Sequence, residues 1–430
     1  MVVSIRTMRI LLIFFAIICL HAQAPVGNFI GEIQTPGGKL RLGLTISATS
    51  EGAFKGELIS IDQGSSKIPA DRTTVEGQLI KVSIAAIGAN FEGILTDDGQ
   101  TINGKFTQGI QMDLVMKRVE EFPRLSRPQE PKQPYPYRSE ELVFQGATAD
   151  VKLAGTLTIP QAEARYPAVV LVSGSGPQNR DEELLDHKPF LVWADALTRA
   201  GFAVLRYDDR GVAKSTGKFA GATSQDFALD AAAAVAYLRT RKEIDPKRIA
   251  VMGHSEGGLI APIVASKDPN LAAIVLLAGP GVTGERILKK QIPDLARAAG
   301  LSDEQVQAAS EAGLRRIEKQ METDAWMKYF WSYDPAPALK KVSCPVLVIN
   351  GELDQQVNAD LNLPAIEAAL QAGGNKQFTI RKMPKLNHLL QTAKTGAGQE
   401  YGKLEETVAP AVLEEVSLWL KKTLAMKSVQ

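Results

Sequence analysis

Cysteine and histidine are the scarce residues of this chain: 2 and 4, respectively, among 430. Two cysteines cannot build a disulfide scaffold or a Cys-rich zinc site. A surplus of either charge is also missing, with 49 Lys+Arg against 48 Asp+Glu and a net charge of +1. The chain therefore has no global electrostatic reason to bind nucleic acid or an anionic membrane. No comfortable membrane span is present either: a span takes roughly 20 apolar residues. The run from Ile10 to Leu20 offers eleven. What remains is an ordinary globular composition, 45% hydrophobic and 23% charged, which excludes a largely disordered chain. The length suggests two to three domains. With four histidines, any His-dependent chemistry has few candidates, and each can be followed by name.

Residues 1–24 read as an address rather than as part of the fold. Arg6 and Arg9 precede the apolar run, and His21-Ala22-Gln23-Ala24 follows it. A basic start, a short apolar stretch and an Ala-x-Ala end predict a secretory signal peptide. The protein is then secreted or periplasmic, with no stable membrane span after processing. Pro25 sits awkwardly for cleavage directly after Ala24, so an uncleaved anchor is the alternative. Cys19 follows Ala16-Ile17-Ile18, without the Leu and small-residue pattern of a lipidated cysteine. Loss of the segment leaves Cys344 alone, which excludes an intramolecular disulfide in the mature chain.

Residues 25–120 predict a small all-β domain, barrel or sandwich. Alternating runs recur at Lys39 to Ile46, Gly56 to Ile61, Leu79 to Ile84, Phe91 to Leu95 and Met112 to Met116. Turns such as Asp97-Asp98-Gly99 separate them. No Ser/His/Asp cluster or metal spacing falls here, so the domain reads as a structural or substrate-presenting accessory. Residues 121–138 hold Pro123, Pro128, Pro131, Pro134 and Pro136, a density that predicts an extended linker. From 139 to 430 the pattern is different. Continuous apolar runs at Ala168 to Val172, Phe202 to Leu205, Ile249 to Met252, Ala273 to Leu277, Val346 to Ile349 and Phe378 to Ile380 alternate with helical stretches. Strands buried on both faces between helices predict a mostly parallel α/β sheet. From about 281 to 340 there are helical runs and no strand, which predicts a helical cap.

The sharpest motif is Gly253-His254-Ser255-Glu256-Gly257-Gly258, placed between the apolar run ending at Met252 and the apolar start of a helix at Leu259. This is G-x-S-x-G at a strand-to-helix turn. Glycines there allow close backbone approach and push the serine hydroxyl outward. The helix start favours developing negative charge.

On these residues the sequence resembles the α/β-hydrolase family over roughly residues 140–425. It is similar to secreted bacterial serine esterases related to the serine-aminopeptidase and dienelactone-hydrolase branches. The resemblance implies Ser255 as nucleophile, then an acid, then a histidine, in that chain order. Gly351-Glu352-Leu353-Asp354-Gln355-Gln356-Val357 follows the strand at Val346, and Asp354 matches the family's G-x-x-D-x-x-V pattern. Glu352 is the competing carboxylate. The histidine follows by elimination. His21 lies in the signal segment, and His254 is fixed beside the nucleophile. His187 sits in a loop where it can line a pocket. His388 follows a late strand, in a position that resembles the family's catalytic loop. The oxyanion hole requires two backbone N–H groups. One is Glu256, directly after the nucleophile. The other comes from Ser173-Gly174-Ser175-Gly176-Pro177, where the family usually has His-Gly-x. Pro177 has no N–H, which points to Ser175 with Gly176 as competitor.

Three further features are weighed. Tyr207-Asp208-Asp209-Arg210-Gly211-Val212-Ala213-Lys214-Ser215 resembles the family's D-x-R-G-x-G-x-S loop, with Ala213 in place of the second glycine. It suggests a structural ion pair at Asp209 and Arg210. Asn179, Arg180 and Asp181 either contact substrate or order their loop. Trp326, Tyr329, Phe330, Trp331 and Tyr333 either pack the cap or wall an acyl pocket. The resemblance implies a serine hydrolase. The favoured activity is a carboxylesterase that cleaves small or medium acyl esters through an acyl-enzyme, with no metal or organic cofactor. Its partner is a small-molecule ester. The alternatives are an amidase or aminopeptidase with the same triad, anchoring an amine through Glu285, Glu318, Glu322 or Asp324, and a non-catalytic binding protein. Substrate-binding residues and oligomeric state have no signature here.

Overall fold

The computed structural model describes residues 25–35, 38–63, 67–123, 125–161 and 165–425. The signal peptide expected at 1–24, with Cys19 and His21, lies outside them. Two compact units divide at residues 124–125, residues 62–64 counting with the larger.

The smaller unit is one antiparallel sheet of nine strands. They are β1 (Gly27–Thr35), β2 (Gly38–Ala48), β3 (Phe54–Ser60), β4 (Lys67–Pro69), β5 (Arg72–Glu76), β6 (Leu79–Ile84), β7 (Ala89–Leu95), β8 (Thr101–Gln108) and β9 (Ile110–Val119). Their order is β4-β3-β2-β1-β9-β8-β7-β6-β5. The ends of that order meet. Ala70 N–H donates to Gly56 in β3, and the next residue's N–H, Asp71, donates to Ser83 in β6. The sheet therefore curls toward closure around Phe29, Phe91, Phe106 and Ile80, which decides for a barrel over a sandwich. The alternation rule passes over β1, β4, β5 and β8. In β8 the cause is Gly104: a Cβ there would overlap the Glu92 carbonyl of the neighbouring strand. Close backbone approach demands glycine, and glycine dilutes the apolar period.

The larger unit carries an eight-stranded sheet: β10 (Arg138–Gln145), β11 (Lys152–Ile159), β12 (Tyr166–Val172), β13 (Ala203–Tyr207), β14 (Ile244–His254), β15 (Ala273–Leu277), β16 (Val346–Gly351) and β17 (Phe378–Met383). The order is β10-β11-β13-β12-β14-β15-β16-β17. Pairing is antiparallel as far as β13 and parallel beyond it. Successive residues of a strand face opposite sides, so the continuous apolar runs feed two cores. Val170, Val172 and Val251 join one, while Val169, Leu171 and Met252 join the other.

Helices cover both faces. They are α1 (Pro189–Arg199), α2 (Ser224–Thr240) and α3 (Glu256–Ala265), then α4 (Gly284–Ala298), α5 (Asp303–Met321), α6 (Ala325–Ser332) and α7 (Ala336–Leu339) in the interval between β15 and β16. After β16 come α8 (Ala359–Ala372), α9 (Gly398–Tyr401) and α10 (Pro410–Ala425). The helices α2, α3 and α8 contribute to the first core, and α1 and α10 to the second. Ala231 and Ala234 of α2 are fully buried, so small side chains let that helix lie close on the sheet.

The proline-rich stretch expected as a linker is anchored from residue 125 onward to the larger unit. Arg127 donates to the backbone oxygens of Leu185, Asp186, Gly402 and Leu404. Gln129 pairs with the backbone of Thr407 and Val408, and Tyr137 donates to Asp195. Prolines leave these segments extended, and side-chain hydrogen bonds dock them. Among the described residues, no helix is long and apolar enough to cross a membrane.

Candidate active site

Ser255 stands where β14 ends and α3 begins. Its φ of 52 and ψ of −116 are a conformation that a side-chain-bearing residue keeps only when its surroundings impose it. Here Ser255 N–H donates to Leu277 O at 2.8 Å, tying the turn to β15, and Gly258 N–H returns to Ser255 O at 2.9 Å. A Cβ on Gly257 would run into the Val172 carbonyl of β12. The second glycine of the motif is thus a packing requirement of the sheet.

The parallel strands β14, β16 and β17 end on one side of the sheet and deliver their following loops together. His388 Nε2 lies 3.0 Å from Ser255 Oγ, and His388 Nδ1 lies 2.8 Å from Asp354 Oδ2. The other oxygen of Asp354 accepts the N–H groups of Gln356 and Val357, both at 2.8 Å. A carboxylate only accepts, so Nδ1 carries the proton and the Nε2 lone pair faces the serine. His388 and Asp354 are both buried. The competing carboxylate, Glu352, accepts the Lys385 N–H instead, at 3.2 Å.

Among the described residues, the N–H groups of Glu256, Ser175 and Gly176 have no hydrogen-bond partner. Gly174 N–H is committed to Glu182 Oε1 at 2.6 Å. Hydrogen bonding therefore leaves both Ser175 and Gly176 free to donate, and removes Gly174.

Two carboxyl groups face a recess beside this loop. Burial pushes the Asp209 carboxyl up to about 8, against hydrogen bonds from Gln178 N–H and Ser173 Oγ. Burial also raises Glu256, whose Oε1 accepts from Ser224 Oγ and from Trp326 Nε1 at 2.7 Å. The recess between them is about 10 Å³, room for about one water. A wider groove of about 530 Å³ runs past Ser175, Gly176, Phe219 and Trp326.

The structure decides several expectations, correcting some and choosing between alternatives in others. The structural ion-pair role expected of Asp209 and Arg210 falls to Arg210, which reaches Asp230 at 2.6 Å, while Asp209 accepts from Ser173 Oγ and Gln178 N–H and its neighbour Asp208 is held by Arg180 at 2.7 Å. His187 turns into the protein interior. It is buried, with Nδ1 on Thr407 Oγ1 and Nε2 on the Tyr401 carbonyl, both at 2.9 Å. Arg180 and Asp181 order their loop, Asp181 through Arg206 at 2.7 Å, and Asn179 Oδ1 accepts the Asp181 and Glu183 N–H groups. The cap aromatics pack in two stacks, Trp326 on Phe330 and Tyr329 on Tyr333, and Trp326 also walls the groove.

Two partners have no local signature in the sequence. One is Trp326, 70 residues from Glu256. The other is Glu182, whose Oε1 lies 2.9 Å from Nδ1 of His254 across 72 residues. Burial opposes charge on His254, but the Glu182 carboxylate outweighs it and raises the imidazole from 6.5 to about 9. Folding thus holds a proton that the unfolded chain releases above about 6.5. This stabilisation is complete below pH 6.5 and is lost as pH rises through about 9. Asp209, also raised, acts with the same sign at lower pH. The Tm is expected to fall from pH 6.5 to 9.5, and more shallowly in His254→Gln. Equal slopes for the two proteins in thermal melts would refute the assignment.

The sheet order, the turn geometry and the helical excursion give the larger unit the α/β-hydrolase fold. Residues 190–394 match the family described as serine aminopeptidase, S33. Esterase EstD of Thermotoga maritima is 30% identical over 280 residues, 63% of this chain and 66% of EstD, just under two thirds of that relative. Among solved structures, the α/β hydrolase GrgF of a Penicillium species is 19% identical with a TM-score of 0.47, covering 67% of this chain and 99% of GrgF. The esterase Pf2001 of Pyrococcus furiosus is 17% identical with a TM-score of 0.45, covering 67% and 94%. Among the described residues, no group of three or more His, Cys, Asp or Glu is placed to hold a metal ion.

Proposed function

We propose that this protein is a secreted or periplasmic serine hydrolase that cleaves carboxylic esters. The observation that carries the reading is the relay from Ser255 Oγ through His388 to Asp354, at 3.0 and 2.8 Å. In this mechanism His388 Nε2 takes the serine proton as Oγ attacks the ester carbonyl. Asp354 keeps Nδ1 protonated and stabilises the imidazolium. The N–H groups of Glu256 and Ser175 receive the oxyanion. His388 then protonates the leaving alcohol, and a water activated by the same nitrogen cleaves the acyl-enzyme. Export rests on the basic, apolar and Ala-Gln-Ala segments before Pro25.

The family match supports a second reading as an aminopeptidase. A substrate α-ammonium needs an ionised carboxylate near the nucleophile. Glu256 and Asp209, the carboxyl groups in the recess, are pushed toward the neutral form by burial. Asp324, on the groove, is occupied as the cap of α6 and by Gln320. Glu285 pairs with Lys289. These features favour the ester. The test is a panel of p-nitrophenyl esters of increasing acyl length beside aminoacyl-anilides. Esters are expected to turn over at least about tenfold faster in kcat/KM, a difference of about 1.4 kcal/mol in barrier. Faster anilide cleavage would favour the aminopeptidase.

A further inference from the structure

Behind the Ser255–His388–Asp354 relay lies a second buried pair. His254 precedes the nucleophile, yet both of its ring nitrogens bond to groups other than Ser255 Oγ. Nδ1 is 2.9 Å from Glu182 Oε1, and Nε2 is 3.0 Å from the backbone oxygen of His388. A carboxylate and a carbonyl both only accept. The two bonds together therefore require both ring nitrogens to carry protons, so the geometry itself specifies an imidazolium. Its ring centre lies 5.0 Å from that of His388.

Glu182 is committed to the same task. Its Oε1 also receives Gly174 N–H at 2.6 Å, in the loop that carries Ser175 and Gly176. It holds a φ of 50, strain that persists only where neighbours impose it. Among the described residues, its Oε2 is buried without a hydrogen-bond partner, so His254 is the cation that compensates its charge. The chain of contacts runs from Gly174 N through Glu182 and His254 to the His388 carbonyl. It joins the oxyanion loop to the base loop through the residue adjacent to the nucleophile.

We propose that Glu182 and His254 are positioning residues. Their ion pair fixes the oxyanion donors after β12 relative to the backbone of the general base. This role rests on the esterase reading above. The pair touches no reacting atom. In Glu182→Gln the side-chain oxygen can still accept Gly174 N–H, but nothing balances a second proton on His254. A neutral His254 then sets a lone pair against the His388 carbonyl, and the base loop shifts. Displacement of about 1 Å between reacting groups costs on the order of 10²-fold in rate. Substrate binding in the groove does not pass through the pair.

The experiment compares wild type, Glu182→Gln, His254→Gln and the double variant in p-nitrophenyl ester hydrolysis. Rates are expressed per site titrated to completion with a fluorophosphonate, so that unfolded protein does not count. Each single variant is expected to lose about 10- to 10²-fold in kcat, with KM held within about threefold. The double variant is expected to lose no more than the worse single variant, because one linkage is broken in every case. Loss of titratable sites with kcat per site unchanged would mean a merely structural pair and overturn the proposal, as would losses that multiply in the double variant. A wild type that neither turns over esters nor labels at Ser255 overturns the esterase reading and this one together. An active wild type with unchanged variants overturns this one alone.

Discussion

Ser255→Ala is expected to lower kcat for ester hydrolysis by about 10³-fold or more, with KM changed far less. The argument is geometric. Ser255 Oγ is the hydroxyl that His388 Nε2 addresses, at 3.0 Å. Without it no acyl-enzyme forms, and only oxyanion stabilisation and binding remain. His388→Ala is expected to fall to a similar level, because removing the base disables the same step. The Ser255→Ala, His388→Ala double variant should be little worse than either single one, as for residues that act as a unit. Fluorophosphonate labelling followed by peptide mapping supplies an independent readout. Ser255→Ala with near-normal turnover, or with labelling undiminished, would end the assignment.

The largest effect on stability is expected at Gly257. Its Cα approaches the Val172 carbonyl so closely that a Cβ has no place. Moving away means separating α3 from β12 in the middle of the sheet, where Val172, Leu259 and Ile260 are buried. Gly257→Ala is therefore expected to cost on the order of 4 kcal/mol or to prevent folding of the larger unit. Gly398→Ala serves as the control. It has open space around its Cβ position and should stay within about 0.5 kcal/mol of wild type. Circular dichroism melts of the two variants decide the matter: a Gly257→Ala midpoint equal to that of Gly398→Ala would show that the turn has slack.

The two ends of the relay were legible for different reasons. Ser255 sits in a motif whose glycines answer a local steric demand, so a short stretch of sequence carries it. Asp354 was reached through the family's G-x-x-D-x-x-V pattern and His388 by elimination and its likeness to the family's catalytic loop, and parallel strands bring the two loops to one side of the sheet. The strands themselves were legible wherever both faces are buried, as at Val346 to Ile349, and were missed where glycine or polar residues interrupt the period, as in β8. Ion pairs were the weakest reading. A structural ion-pair role was expected of Asp209 and Arg210, and only Arg210 takes it, with Asp230, while Asp209 accepts from Ser173 and Gln178. The partners come from elsewhere in the chain, so sequence proximity says little about who meets whom.

The four histidines divide the matter most clearly. Sequence alone determined that only a few could act. It also pointed to His388, by elimination and by a position that resembles the family's catalytic loop. Its scarcity of cysteine determined that the larger unit must be held by packing, which two apolar cores on one sheet supply. Only the tertiary structure decided what the other two described histidines do. His187 became a buried neutral group between Thr407 and Tyr401, where burial lowers it to about 4. His254 became a cation between Glu182 and the His388 carbonyl. Both outcomes depend on partners tens to hundreds of residues away. The protonation state of an imidazole is set by the oxygen each nitrogen faces and by its distance from water. Neither quantity exists until the loops have been brought together.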